Sequence, residues 1–83
     1  MKHNRFSRVA LAEDLPERRL RRGDVATVVE FHPGRAGQEP GYSLDVLNAV
    51  GDTVDVVTVR ESQIEALTAD ELLTVRSLAG AAR

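Results

Sequence analysis

The residues that could carry out catalysis in this chain are few, and their spacing argues against it. The two histidines, His3 and His32, lie far apart, one near the amino terminus and one beside the turn-forming pair Pro33-Gly34. A metal site or an acid–base pair needs such groups close together. We therefore expect His32 to be a solvated loop residue, and we do not expect it to form an acid–base pair with Asp24 or Glu30.

Nucleophiles and phosphate loops are also missing from the sequence pattern. The four serines lack the Gly-x-Ser-x-Gly elbow, and the absence of cysteine excludes thiolate nucleophiles, thiolate zinc sites and disulfides. The glycines at 34 and 37 are followed by neither Gly-Lys-Ser/Thr nor a predicted helix, so we interpret them as a turn. The sequence predicts no enzyme, no metal and no cofactor.

Charged residues are the remaining candidates, and they are unevenly distributed. Residues 1–35 carry eight Lys/Arg against five Asp/Glu, whereas residues 36–83 carry three against eight, for a net charge of −2. Such asymmetry indicates a polarised surface that steers oppositely charged partners. The alternative is that the two sets mix on solvated strand faces.

Four arginines around Leu20 form the densest charge cluster. On a turn, their guanidinium groups could contact phosphates or the carboxylates of a protein partner, and a plain solvated turn is the alternative. Acidic residues on the later strands form the second set, joined by Glu61 and Glu65. The candidate partner-binding residues are Arg18, Arg19, Arg21, Arg22, Asp45, Asp52 and Asp55.

The elements that must position these charges are mainly β-strands. Alternating apolar residues predict strands over residues 6–11, 25–31, 42–47 and 53–60, with Ile64 and Leu67 closing a barrel. We expect the following side chains to point inward: Val9, Leu11, Val25, Val29, Phe31, Tyr42, Leu44 and Val46. A bulge near the adjacent Val56 and Val57 would reconcile that strand with a two-residue period.

Turns and one helix connect and follow the strands. Residues 12–23 form a folded turn in which Leu15 and Leu20 pack against the barrel and Gly23 supplies a positive φ. Residues 32–41 form an exposed loop, and Gly51 takes a left-handed conformation in the turn at 48–52. Thr68 and Glu71 have capping-box spacing, which predicts a helix over 69–79 that ends at Gly80.

Length and hydropathy indicate one small domain. We expect a flexible amino terminus over 1–5, a barrel over 6–67, and a helix with a tail over 68–83. At 83 residues the core is thin, because such a chain buries only about 60 to 65% of its unfolded surface. No apolar run approaches the ~20 residues that span a bilayer, so we expect a cytoplasmic protein that does not contact a membrane.

One set of motifs in this order resembles a known family. The motifs are Asp14-Leu15-Pro16, Leu20 with Gly23-Asp24, Thr27-Val28-Val29, the strand 42–47, Gly51 with Thr53, and the valine-rich strand 54–59. Over about residues 6–67 the chain resembles short bacterial proteins classified as domain of unknown function number four-nine-two-six. The resemblance implies a five-stranded SH3-like barrel related in shape to KOW modules and to the barrel of nitrile hydratase subunits, and it implies no activity.

The expected function is protein binding. The resemblance implies genomic neighbours that include candidate toxins, so an antitoxin, immunity or accessory role for a neighbouring gene product is our first hypothesis. In that version the acidic residues would mimic nucleic acid against a basic cleft. The alternative is a KOW-like nucleic-acid module that uses the arginine-rich turn, which the acidic balance and three aromatic residues argue against. The sequence leaves open whether the protein forms a homodimer.

Overall fold

A computed structural model describes residues 2–78. Five strands, β1 (Arg8–Leu11), β2 (Val25–His32), β3 (Gly41–Leu47), β4 (Thr53–Arg60) and β5 (Ile64–Ala66), form one antiparallel sheet in the order β4-β3-β2-β1-β5. Two short 3₁₀ helices, Pro16–Arg18 and Glu61–Gln63, lie in the connections. The predicted mainly β, five-stranded architecture is confirmed. In residues 2–78 no helix has both the length and the apolar character to cross a membrane.

The sheet is strongly curled but not closed. In a flat sheet with strands ~4.8 Å apart, the edge strands β4 and β5 would lie ~19 Å from each other. The chain passes from the end of β4 to the start of β5 through Glu61–Gln63, and four steps of ~3.8 Å reach at most ~15 Å. The edges must therefore approach one another. Within the described sheet β4 and β5 do not pair, so the expectation of a closed barrel is wrong.

The core lies on the inner face of this curl. β3 supplies its centre, because Tyr42, Leu44 and Val46 alternate inward and are buried, as the sequence predicted. On β4, Val59 lies opposite Tyr42 and Val57 opposite Leu44, and on β2, Val28 lies opposite Leu44. The buried cluster consists of Val9, Leu11, Leu15, Leu20, Ala26, Val28, Tyr42, Leu44, Val46, Val57, Val59 and Ile64.

The predicted inward face of β2 is wrong at Val25 and Val29. Val28 lies opposite Leu44, but Glu30 already lies opposite Ser43, so Val29 is an extra residue in the ladder. This bulge reverses which positions point inward. Before it, Ala26 and Val28 are buried, and after it Phe31 packs on the core beside Tyr42, with ring centroids 5.3 Å apart.

β4 has a bulge near the adjacent valines, as predicted, but the bulge does not bury both of them. Leu47 pairs with Thr53 and Val46 with Asp55, which leaves Val54 as the extra residue. From there β4 alternates regularly, so that Val57 is buried and Val56 is 53% exposed. The adjacent valines point to opposite faces and need no bulge between them.

The turns follow the sequence expectations, except that His32, predicted to be a solvated loop residue, is the last residue of β2 and Gly41 is the first residue of β3. Leu15 and Leu20 are buried and form a β-bridge across the first turn. Gly23 has φ 91° and Gly51 has φ 92°, a left-handed conformation that glycine adopts without a Cβ clash. The loop between β2 and β3 is exposed over residues 33–39.

Residues before β1 contact the core, which the sequence analysis did not predict. His3 is buried, and its ring meets Tyr42 edge to face with centroids 5.3 Å apart. The backbone N–H groups of Lys2 and His3 donate to the Tyr42 hydroxyl, which itself donates to Glu61 Oε2 at 2.8 Å. Burial and the bond to Glu61 raise the pKa of Tyr42, so the hydroxyl keeps its proton and links the amino-terminal segment to the β4–β5 connection.

The expected carboxy-terminal helix is not formed over residues 69–78, while Ala79 and Gly80 lie outside the described residues. Half of the capping box exists, since the Thr68 N–H donates to Glu71 Oε1 at 2.7 Å, but the Thr68 hydroxyl donates to Asp70. Leu72 and Val75 are 90% and 93% exposed. Short isolated helices are marginal without a buried apolar face, and this segment buries neither residue.

Truncation of the central core residue tests the packing. Replacing Leu44 by Ala is expected to lower the free energy of unfolding by about 2–5 kcal/mol, because it removes a fully buried side chain from a thin core. Val50→Ala is the matched control, since Val50 is 82% exposed, and it should change stability by less than about 0.5 kcal/mol. Urea denaturation measures both, and equal effects would contradict the assigned core.

The buried His3 makes stability depend on pH. Burial lowers the pKa of its imidazole below the ordinary value of 6.5, against the opposing influence of Glu61. The unfolded chain therefore takes up the proton first, and the stabilising contribution present above pH 6.5 is lost as pH falls through the lowered pKa. Wild type should lose more stability than His3→Leu between pH 7 and pH 5 in denaturant titrations, and parallel losses would contradict this role.

Candidate partner-binding site

The arginine-rich turn is a folded segment that packs against the core. Leu15 and Leu20 anchor its two ends in the core, and a 3₁₀ helix occupies the space between them. Arg19 adopts a left-handed conformation with φ 58°. This conformation reverses the chain direction, so that the next residue, Leu20, reaches the core. With both leucines pointing inward, all four arginines of the cluster are exposed.

Arg18 joins the two sets of candidate residues. Its Nη2 donates to Asp55 Oδ1 and to the carbonyl oxygen of Val56, both at 2.9 Å. The basic turn and the acidic strand therefore neutralise each other at this point, and Arg18 is committed to an intramolecular contact. Because the side chains are 44% and 30% exposed, the ion pair itself is worth no more than about 1 kcal/mol.

Arg76 is the functional candidate that the sequence analysis missed. Its Nε donates to Asp24 Oδ1 at 2.9 Å, its Nη2 bonds to Asp24 Oδ2, and the same Nη2 donates to the Arg19 carbonyl at 3.1 Å. This fork holds the carboxy-terminal segment against the arginine turn. No local pattern signals a pair 52 residues apart.

Asp24 is ionised in this arrangement. Burial would raise the pKa of its carboxyl, but the hydrogen bonds and positive charge of Arg76, with the Arg21 N–H, outweigh burial and lower it. The Asp24 hydrogen bond raises the pKa of Arg76 in turn. The pair therefore stays charged and closed at neutral pH.

Two adjoining grooves flank the turn, with volumes of about 400 and 290 Å³. Leu20, Leu78 and Arg19 line both of them. Arg21, Arg76, Asp14 and Pro16 complete the larger groove, whereas Arg18, Asp55 and Val54 complete the smaller one. Each groove is thus lined by both apolar side chains and arginines.

The acidic candidates do not form one surface. Asp45 lies opposite Val56 on the outer face, whereas Asp55 lies opposite Val46 on the inner side of the sheet. Asp52 is exposed in the turn before β4. Since consecutive strand residues point to opposite faces, this register places Asp45 and Asp55 on opposite faces of the sheet although they lie on neighbouring strands.

One polar chain crosses the outer face. His32 Nε2 and Ser43 Oγ are 2.7 Å apart, and Ser43 Oγ is 3.3 Å from Thr58 Oγ1. A nucleophilic serine needs a base that is itself oriented by a third group; within residues 2–78, no hydrogen bond is present on His32 Nδ1. In the same residues, no group of three or more His, Cys, Asp or Glu side chains could hold a metal ion.

The comparisons with known proteins identify the family. A small, curled, five-stranded antiparallel sheet with an anchored basic turn defines the class of this protein. A family model described as Domain of unknown function (DUF4926) matches residues 5–66 of the chain. The chain belongs to this family, as the motifs from Asp14 to Val59 predicted. No curated protein and no solved structure matches the chain.

Breaking the Asp24–Arg76 pair should destabilise the protein in a pH-dependent way. Arg76→Gln is expected to cost about 1.5–3 kcal/mol at pH 7, the range for hydrogen bonds to charged groups. Because the folded pKa of Asp24 is lowered, this contribution is present above its ordinary value of 3.8 and is lost as pH falls through the folded value. The two proteins should therefore converge in stability at acid pH.

Chemical denaturation at several pH values measures this difference. Arg35→Gln is the control, since Arg35 lies exposed in the loop between β2 and β3 and should leave stability unchanged. A deficit for Arg76→Gln that persists undiminished below the folded pKa of Asp24 would contradict the ion pair as its cause.

Proposed function

We propose that this protein is a cytoplasmic, non-catalytic protein-binding module whose arginine-turn grooves hold an acidic segment of a partner. The carrying observation is the larger groove, which is lined by the apolar residues Leu20 and Leu78 together with Arg19 and Arg21. Guanidinium groups recognise carboxylates through paired hydrogen bonds. A partner segment that places an apolar side chain between acidic ones fits this arrangement.

Internal ion pairs limit which arginines can bind the partner. Arg18 is bound to Asp55 and Arg76 to Asp24, so their charges are already compensated. Arg19 and Arg21 line the larger groove, and Arg22 is exposed beside it, with its backbone N–H donated to Asp14. We assign the partner's carboxylates to Arg19 and Arg21, with Arg22 adding charge at the rim.

A protein partner fits these features better than nucleic acid. Nucleic-acid binding on a small β-sheet usually combines uncompensated cations with aromatic stacking platforms. Here Tyr42 is buried and Phe31 packs on the core. Phe6 is 67% exposed, but the Arg5 guanidinium covers its ring at 4.9 Å. The compensation of Arg18 and Arg76 further weakens any phosphate-binding surface.

We also propose that the curled sheet is an open SH3-like barrel. A sheet in which β1 lies between β2 and β5, and which bends at the β2 bulge, supports an open SH3-like barrel. Such barrels commonly present their connecting loops to partners while the sheet acts as a scaffold. The partner is a protein encoded by a neighbouring gene, and a toxin neutralised by this protein is the first candidate.

The double variant Arg19→Glu/Arg21→Glu tests the assignment. Reversing both charges should repel an acidic segment and reduce capture of the neighbouring gene product by about tenfold or more in a quantitative co-purification. Arg35→Glu is the control, because it reverses the charge of one arginine on the exposed loop between β2 and β3, and it should retain capture.

A nucleic-acid titration distinguishes the alternative. The proposal expects at most weak binding of single- or double-stranded RNA, unaffected by the Arg19/Arg21 reversal. Tight RNA binding that weakens steeply with salt and disappears in the double variant would support the KOW-like function and overturn ours. Equal capture of the neighbouring protein by wild type and the double variant would also overturn it.

A further inference from the structure

Both grooves beside the arginine turn include residues of the carboxy-terminal segment. Leu78 lines both grooves, and Arg76 lines the larger one. Leu20, the other leucine common to the two grooves, is only 4% exposed, whereas Leu78 is 45% exposed. Leu78 therefore offers more apolar surface to a bound molecule than Leu20 does.

One side chain attaches this segment to the rest of the described chain. Residues 68–78, which we call the strap, contain no strand and no helix. All hydrogen bonds between the strap and residues 2–67 come from the Arg76 guanidinium. It donates to both carboxylate oxygens of Asp24 and to the carbonyl oxygen of Arg19. The position of Leu78, two residues further on, depends on this attachment.

The part of the strap before Arg76 makes little contact with the sheet. Leu72 and Val75 are 90% and 93% exposed, whereas the side chains of Arg76 and Asp24 are only 28% and 21% exposed. Segments with few buried apolar contacts open locally while the rest of a protein stays folded. The strap therefore has the contacts of a segment that can open at Arg76 and leave the sheet intact.

We propose that the strap closes against the arginine turn to complete both grooves, that Arg76 is the positioning residue that holds it closed, and that Leu78 contacts the apolar side chain of the bound segment. This inference rests on the function proposed above for the identity of the bound molecule. When the Asp24–Arg76 pair opens, Leu78 leaves both grooves. The sheet keeps its fold, because the buried core cluster contains no residue of the strap.

The closed strap also acts on Arg19, one of the arginines assigned to the partner. A residue other than glycine seldom has a positive φ, and Arg19 has φ 58°. The hydrogen bond from Arg76 to the Arg19 carbonyl oxygen stabilises this conformation. A molecule that contacts both Arg19 and Leu78 favours the closed strap, so closure favours binding to the same extent.

Backbone order parameters from NMR relaxation of the free, full chain test closure. In wild type, the amides of residues 76–78 should have values near ~0.85, as in rigid backbone. Asp24→Asn keeps an acceptor for the Arg21 N–H but removes the charge that holds Arg76, so these values should fall below ~0.6. Glu17→Gln, the same carboxyl-to-amide change at an exposed position of the turn, should resemble wild type.

Two results would overturn closure by Arg76. One is a wild-type order parameter below ~0.6 at residues 76–78, and the other is equal order in wild type and folded Asp24→Asn. The strand amides in the same spectra report folding. If Asp24→Asn does not fold, Arg76→Gln removes the same ion pair from the strap and must lose the order in its place; unchanged order in that variant would overturn the proposal.

Leu78→Ala tests the contact with the bound segment. It should reduce co-purification of the neighbouring gene product by about fivefold or more, a usual effect of truncating a contact residue at an interface. Leu72→Ala is the matched control, because Leu72 lies on the same strap and lines neither groove, and it should retain capture.

Equal capture by Leu78→Ala and Leu72→Ala would overturn the role of Leu78. Absence of capture by wild type would overturn the proposed function and, with it, the partner contact of Leu78. The order parameters are measured without a partner, so they decide the closure of the strap in either case.

Discussion

The short return from β4 to β5 constrains the whole molecule. Three residues, Glu61–Gln63, must carry the chain from one edge of a five-stranded sheet to the other, so the sheet has to curl until its edges approach. The curl encloses a core on one face, although the chain is only 83 residues long. The Tyr42 hydroxyl stabilises the connection itself by donating to Glu61.

The bulges and turns are consequences of that curl. An extra residue at Val29 in β2 and another at Val54 in β4 let the strands bend without losing their inward side chains. The arginine turn then packs against the sheet through Leu15 and Leu20. Burying these leucines leaves the charged residues between them no direction except outward, so the packing of the turn and the exposure of its charges have the same origin.

Ion pairs distribute charge more evenly than the sequence suggests. Arg18 with Asp55 and Arg76 with Asp24 each join a basic residue to an acidic one far away in the chain. They convert an apparent division between a basic half and an acidic half into a mixed surface with a small excess of cations near Arg19 and Arg21. Because Arg18 and Arg76 are held in these ion pairs, fewer arginines are candidates for contact with a partner.

Local pattern was enough to predict the five strands, the inward residues of β3, the leucine-anchored turn and the left-handed glycines, because each depends on neighbouring residues. Family membership followed from the same motifs. The sequence by itself also determined the exposure of the arginine cluster, since Leu15 and Leu20 are the only apolar residues available to anchor that turn. Tertiary structure alone decided the inward face of β2, the burial of His3, the separation of Asp45 from Asp55, and the pairing of Arg18 and Arg76. Those features depend on register and on contacts between distant segments. The predicted helix is missing over residues 69–78, where Leu72 and Val75 stay 90% and 93% exposed, because a short helix is marginal unless it buries an apolar face.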